Sequence, residues 1–399
     1  MTAAPEVVCI RSLDVGQASP FLQEAWTVVK RRYPSAVLRL RSQQNGEAAH
    51  RLARECEGVV VDESLEQDGI SSRLVSWSIP NEALIEDLLR YPHWHGTPGT
   101  LGAVYALSDK RTTKALLEAN GMLTPAWNII DREFTRGPLL PADLRSALER
   151  FIGRMIELPV VVKPNWDCMA HGVSVVRQLT DLDAALMEDS GRSLLVERFI
   201  DGETGSVEII GEPGKFFFQY PCWTGSASRP TLDTFDTLRV CGEDLFPAVR
   251  ADPWKSRIST ILSEIGFRGA CCVDFVSDGN DVFVLEINPR ISEISCLSAA
   301  ASGVNAFREV FEVATGHWSE RFLRLAEGNR QWAIQAGGLQ AERLEAERHR
   351  LSGGVRVKRA GWITVDGARS RSLICSGDRR SMEELCGKVG TDVPSGVWM

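Results

Sequence analysis

Short apolar runs alternate with helical spacing through the first hundred residues. Val7, Val8, Cys9 and Ile10 read as a buried strand, residues 17–32 as a helix, and 37–40 as a second strand. A second helix over 47–57 and a third strand over 58–62 complete the rhythm. Strand–helix alternation of this kind predicts a parallel α/β domain over residues 1–100. No Gly-x-Gly-x-x-Gly follows the first strand, so the dinucleotide fingerprint is missing. Residues 91–99 have loop chemistry and mark a junction. His93 and His95 flank Trp94 there without a third candidate ligand and read as surface loop residues.

Beyond the junction a helix opens, with Ser108 or Asp109 placed to cap it and Asn120 and Gly121 to stop it. The pattern then changes. Short apolar runs at 158–164, 173–176, 194–197, 206–210 and 215–218 predict a compact antiparallel lobe over 158–218. A helix over 253–266, a hairpin over 270–288 and a helix over 298–316 follow. The tail carries a charged helix near 341–351 and a hairpin around Asp366 and Gly367. These elements predict an α/β and α+β protein. Its parts are an N-terminal parallel domain (1–100), a central domain (101–318) and a small α+β extension (319–399).

Composition narrows the class. A length of 399 residues suits two or three domains at roughly 150 residues each. With 44% hydrophobic and 25% charged residues, disorder is excluded as the main state. No apolar run approaches the roughly 18 residues of a membrane span. The first residues lack the basic and apolar stretches of a secretory signal, so a cytoplasmic location is expected. The net charge of −8, without a long basic stretch before the tail, argues against a nucleic-acid partner. Ten cysteines include no Cys-x-x-Cys pair, which favours buried reduced thiols over zinc or disulfides.

Three stretches carry candidate chemistry. The first is DFVSDGNDVFVLEINPR at 274–290. Glu286 and Asn288 are two apart on a strand and share a face. A turn centred on Gly279 would pair Asp274 with Val284, leaving Asp274 diagonal to Glu286 on that face. Two carboxylates and an amide oxygen suit Mg²⁺; an ordinary solvated acidic hairpin is the competing reading. The second is Lys163, which closes an apolar strand immediately before Pro164. The loop 165–172 beyond it could cover phosphates, although Gly172 is its single glycine; a solvated lysine is the bland alternative. Lys110, near a helix start, has the same pair of readings. The third is the strand ending at Glu197, then Arg198, Phe199 and a turn at Gly202 and Glu203. A connector of this type can meet an adenine edge and ribose hydroxyls, or can simply end a strand.

Order and spacing join these signals. A lysine at a helix start, a lysine closing a strand, a glutamate closing the next long strand and then Asp-x11-Glu-x-Asn together resemble the ATP-grasp superfamily over roughly residues 100–316. The resemblance implies an ATP-grasp fold whose two lobes clamp ATP, preceded by the N-terminal α/β domain. It implies that Lys110 and Lys163 bind ATP phosphates, with His171 and Gly172 in the loop over them. The backbone of Glu197, Arg198 and Phe199 would meet adenine, and Glu203 the ribose. Asp274 and Glu286 would hold one Mg²⁺ and Glu286 and Asn288 another, with Mn²⁺ able to substitute. Arg290 would be the catalytic guanidinium facing a substrate carboxylate or oxyanion.

This sequence departs from the D-alanine–D-alanine ligase branch at three points. The usual ribose glutamate position holds Thr204, the phosphate loop is poor in glycine, and Cys272 stands where that branch has an arginine. The resemblance therefore implies an ADP-forming ligase that joins a carboxylate, such as an amino acid, to an amine. A bicarbonate-phosphorylating carboxylase and a non-catalytic nucleotide-binding protein are the alternatives. Arg229 and Arg239, in the long segment 219–239, are candidates for a substrate carboxylate, and Glu293 for a substrate amino group. The expected partners are small molecules, with homodimerisation open through the basic tail.

Overall fold

The computed structural model describes residues 7–12, 15–42, 46–61, 73–74, 85, 89, 99–131, 146, 149–150, 152, 157–166, 172–182, 193–228, 238–292, 294–323, 325, 331–348, 354–365, 368–389, 393–394 and 397. The N-terminal alternation folds as its pattern predicts. Strands β1 (Val7–Ser12), β2 (Val37–Ser42), β3 (Val59–Val61) and β4 (Arg73–Leu74) form a parallel sheet in the order β3-β2-β1-β4. Helix α1 (Val15–Arg32) and helix α2 (Gly46–Glu55) make the crossovers. Residues 91–98, including His93 and His95, lie outside the described residues.

Two consecutive helices follow, where the sequence suggested one. Thr100 caps α3 (Leu101–Ser108), and Asp109 caps α4 (Lys110–Ala119) by accepting from the Thr112 N–H at 2.8 Å. Strands β5 (Trp127–Ile130), β6 (Val160–Pro164), β7 (Ser174–Val176) and β8 (Leu194–Arg198) then build a small antiparallel sheet in the order β5-β8-β6-β7.

The expected lobe over 158–218 is too long at its C-terminal end. Strands β9 (Glu203–Glu212) and β10 (Lys215–Phe218) leave it for a second, nine-stranded sheet. That sheet adds β11 (Cys222–Ser226) and β12 (Arg239–Cys241). Helices α5 (Pro247–Arg250) and α6 (Asp252–Glu264) precede its hairpin of β13 (Gly269–Ser277) and β14 (Val282–Asn288). The helix expected over 298–316 is two, α7 (Ile294–Ser302) and α8 (Ala306–Thr315). Gly303 at φ 75° breaks the run, and Asn305 caps the second helix.

After α9 (Trp318–Phe322) the chain does not build a separate extension. Strands β15 (Trp332–Gly337), β16 (Arg356–Val365) and β17 (Ala368–Gly377) continue the large sheet, giving β14-β13-β9-β11-β12-β15-β17-β16 with β10 on β9. Helices α10 (Gly338–Arg348) and α11 (Arg379–Val389) pack beside them. Among the described residues, no helix is long and apolar enough to cross a membrane.

Alternation along these strands separates two environments. Cys271, Val273 and Phe275 join Val207 and Ile209 in a core under α6. Their neighbours Cys272 and Ile210 face the opposite way, into a core shared with α1, α7 and α8. The first face leaves no room at Gly205, where a Cβ would come within 2.5 Å of the Phe275 ring. The second face carries the polar side chains.

Candidate active site

Asp274 lies directly opposite Glu286, not diagonal to it. The β13–β14 pairing shifts register between Asp274 and Phe275, so that Phe275 opposes Val284 and Leu285 is the extra residue. A bulge of this kind changes the phase of the strand. Val282 and Val284 keep to the apolar core before it, and Glu286 and Asn288 reach the polar face after it. The Asn288 amide donates to Asp274 Oδ2 and to Glu286 Oε1, each at 2.9 Å. Ser206 on β9 donates to Asp274 Oδ1 at 2.5 Å. Burial raises the Asp274 pKa to about 6, and the neighbouring Glu286 charge adds to that. For Glu286 the upward push of burial is outweighed by Lys110 and Lys163, which hold it down at about 2.

Helix α4 and the small sheet bring the lysines to this face. The Lys110 ammonium is 3.6 Å from Glu286 Oε2. Lys163, at the end of β6, lies 2.5 Å from Glu197 Oε1. One helical turn beyond Lys110, Lys114 meets the other oxygen of Glu197 at 2.7 Å and donates to Thr124 Oγ1 at 2.7 Å. Thr124 in turn donates to the Val284 carbonyl of β14. Burial lowers the Lys114 pKa, with Glu197 opposing. For Lys163 the same burial is outweighed by Glu197 and Glu286, and its pKa is raised. Burial likewise works against the Glu197 charge, but Lys114 and Lys163 prevail and lower its pKa. The Glu197 carboxylate is thus an anchor for two lysines.

Asp109 fastens these parts together. Besides capping α4, its carboxylate accepts from Asn165 Nδ2 at 2.9 Å and from the Trp166 indole N–H at 3.0 Å. Asn165 Oδ1 accepts from the Arg111 N–H at 3.0 Å. The first two residues of the loop after β6 are therefore tied to the helix start that presents Lys110.

The remaining expected residues do not all join this cluster. Arg290 is buried beside the cluster; its Nη1 donates to the Ile291 carbonyl at 3.5 Å, and its Nε has no hydrogen-bond partner among the described residues. The backbone N–H groups of Arg198 and Phe199 are committed to the Ala126 and Pro159 carbonyls. Arg239 is buried on the face of Cys241, directly opposite Gln335 of β15. Glu203 is set apart. It shares the Gly205 face of β9, accepts from the Trp223 indole at 2.5 Å, and lines a cavity of about 560 Å³ with Phe246, Arg250 and Arg379. Gly172 occupies a turn at φ 66°. His171, Arg229 and Glu293 lie outside the described residues.

Sequence reading missed Lys114, Ser206 and Glu208. A helical lysine and a strand serine read as surface residues, and only the i, i+4 spacing from Lys110 pointed to Lys114. Glu208 shares the Ser206 face, is fully buried, and has its pKa raised by burial to about 8.

The donor set suits a hard cation. Asp274 and Glu286 offer carboxylate oxygens that face each other with Asn288 Nδ2 donating to both, and a cation in that place would take the Asn288 amide oxygen once the amide turns over. Among the described residues, no group of three His, Cys, Asp or Glu side chains comes together as a self-sufficient metal cage. A pair of carboxylates plus an amide is what Mg²⁺ needs when phosphates supply the other ligands.

Residues 107–293 match the family described as ATP-grasp domain. A carbamoyl-phosphate synthase of Methanobrevibacter smithii is 24% identical over 219 residues, covering 54% of this chain and 55% of that protein. D-alanine–D-alanine ligase B of Chromobacterium violaceum is 28% identical over 214 residues, covering 51% and 64%. The chain thus spans less than two thirds of the length of these curated relatives. Among solved structures, the L-amino acid ligase from Bacillus licheniformis superposes with a TM-score of 0.69 at 14% identity, covering 98% of both chains. N5-carboxyaminoimidazole ribonucleotide synthetase from Thermus thermophilus does so at 0.66 and 18%, covering 96% of this chain and 97% of that one. Such identities speak to the fold, and the likeness includes the N-terminal sheet and the C-terminal strands.

Proposed function

We propose that this chain, whose residues 107–293 form an ATP-grasp domain, is an ADP-forming ligase that couples a carboxylate to an amine. The observation that carries the reading is the convergence of Lys110, Lys163, Glu286, Asp274, Asn288 and Arg290 on one polar face. Lys110 and Lys163 would meet ATP phosphates, each exchanging a carboxylate partner for a phosphate oxygen. Asp274, Glu286 and Asn288 would hold Mg²⁺, which when bound neutralises phosphate charge.

The substrate carboxylate attacks the γ-phosphorus, the bond to the β-phosphate oxygen breaks, and ADP leaves with the electron pair. The amine nitrogen then attacks the acyl carbon, phosphate departs, and the nitrogen loses a proton. Arg290 suits the carboxylate being activated, because its buried guanidinium keeps an unengaged N–H. Arg239 would meet a second anionic group, and an amino acid supplies both a carboxylate and an amine. Likeness to the L-amino acid ligase and to the D-alanine–D-alanine ligases supports that substrate class. A second reading, phosphorylation of bicarbonate, draws on the biotin carboxylase domain of Hydrogenobacter thermophilus, which superposes over 97% of this chain at a TM-score of 0.65.

The test is phosphate release from ATP across pairs of amino acids, with Glu286→Gln as control. Release that depends on a pair and vanishes in the variant is expected. Equal release in variant and parent sinks the proposal, and release that depends on bicarbonate alone transfers it to the second reading.

A further inference from the structure

Glu208 is an acid that the chemistry above leaves unused. It follows Ser206 by two residues on β9, so both lie on the face of Asp274, and its strand neighbour across β13 is Cys272. Its side chain is fully buried. One carboxyl oxygen accepts from the Ser295 hydroxyl in the first turn of α7; the other has no hydrogen-bond partner among the described residues. Ser295 Oγ also accepts from the Ser292 N–H at 3.0 Å. A chain of contacts therefore runs from the sheet through Glu208 and Ser295 to the turn that immediately follows Arg290.

The charges around Glu208 explain why it can serve as a neutral strut. No ion pair reaches it among the described residues. The titratable groups that face or border it are thiols: Cys241 on β12, and Cys271 and Cys272 on β13. Helix α7 brings the hydroxyls of Ser295 and Ser298 to this region, and its Ser302 hydroxyl donates to Gln219, whose backbone N–H donates to the Glu208 carbonyl. Burial raises the Glu208 pKa to about 8, so the group is largely protonated at neutral pH. A neutral carboxyl can hold a serine in a dry core without a counter-ion.

We propose that Glu208 is the positioning residue for Arg290, its carboxyl group tying Ser295 and, through it, Ser292 to the sheet just beyond that arginine. The inference rests on the reading in which Arg290 meets the substrate carboxylate. It adds that the guanidinium is aimed from beneath by an acid that touches no substrate. Arg290 lies two residues before Ser292, so a loosened turn displaces the guanidinium. The phosphate-binding lysines stand on other elements and would keep their places.

The experiment uses Glu208→Gln, Glu208→Ala and Ser295→Ala in the full chain. Glutamine keeps the shape and the acceptor, so its kcat and its KM for the acid substrate should stay within about twofold of the parent. Alanine should raise the KM for the acid about tenfold or more, with the KM for ATP unchanged. Ser295→Ala should move the same constants in the same direction, and serves where Glu208→Ala does not fold. Placed on Arg290→Ala, the loss of Ser295 or Glu208 should add nothing further, because the residue it positions is already gone. Damage by glutamine equal to that by alanine, additivity with Arg290→Ala, or an unchanged KM for the acid would overturn the proposal. Amide hydrogen exchange over 289–296 gives a readout that needs no turnover: faster in the alanine variants than in the glutamine variant if the strut exists, and equal if it does not. A parent that releases no phosphate with any acid would refute the ligase reading alone, leaving the exchange comparison to decide on Glu208.

Discussion

The Lys114 ammonium stands 2.7 Å from Glu197 Oε2, and neither side chain is more than 3% exposed. The pair joins helix α4 to the small sheet, while Lys163 holds the other oxygen of the same carboxylate. Two cations on one anion in a dry setting make each partner hard to remove. Breaking a buried ion pair by deleting one member costs about 3–5 kcal/mol, because a charge is left without compensation. Lys163 still serves Glu197 in Lys114→Met, so the lower end, about 3 kcal/mol, is expected from urea unfolding. Adding Glu197→Gln should recover part of the loss. A Lys114→Met protein as stable as the parent would show that Lys163 alone satisfies the carboxylate.

Asp109 supports a second prediction. Its carboxylate caps α4 and accepts from Asn165 and Trp166. A lost cap costs about 0.5–2 kcal/mol, and each stranded buried donor about 1–3 kcal/mol. Asp109→Ala should therefore unfold at least about 2 kcal/mol more easily than the parent. Because the cap presents Lys110, the variant should also bind Mg·ADP more weakly. Calorimetric titration with Mg·ADP checks this, and unchanged affinity would place the network outside nucleotide binding.

The candidate metal-binding face was legible where its chemistry lies in short spacings. Asp274, Glu286, Asn288 and Arg290 sit on one hairpin and its exit; strand alternation puts Glu286 and Asn288 on one face, and the bulge sets the phase that brings Asp274 opposite Glu286. The bulge was not legible, because 282–285 is an unbroken apolar run without a glycine or proline to mark the extra residue. Lys114 was hidden for a different reason: its burial depends on Glu197, far along the chain and on another element. Long-range pairing also concealed the fate of the C-terminal stretch 319–399. The β12–β15 ladder joins Arg239 to Gln335, and no local pattern distinguishes a strand that extends an existing sheet from one that begins its own. The misplaced lobe boundary has the same origin, since β8 and β9 are separated by only a short connector yet belong to different sheets.

Proton linkage supplies a third prediction. Asp274 has its pKa raised to about 6, by burial and by Glu286. A carboxylate must lose its proton to hold Mg²⁺. Affinity for Mg·ADP should hence be nearly constant above about pH 7 and fall below about pH 6, approaching about tenfold per pH unit for one linked proton. Ser206 donates to Asp274 and opposes the upward shift, so Ser206→Ala should move the fall to higher pH. Calorimetric titrations from about pH 5 to 8 would measure both, and a flat profile would exclude Asp274 as the linked group.

Glu208 should leave its mark on stability as well. Its pKa of about 8 in the folded protein lies far above that of a carboxyl in an unfolded chain, about 4.3. Between those values the native state keeps a proton that the unfolded state has released. Stability is then fully present at acid pH and is lost as pH rises toward about 8, with a slope of at most about 1.4 kcal/mol per pH unit. Glu208→Gln removes the titration while keeping an acceptor for Ser295. The two proteins should be close at about pH 5, and the glutamine variant should lead by a few kcal/mol at about pH 8. Urea midpoints at about pH 5, 6.5 and 8 give the comparison directly. Parallel curves would mean that Glu208 gains a counter-charge or solvent on ionising, and that its burial imposes no penalty on the folded state.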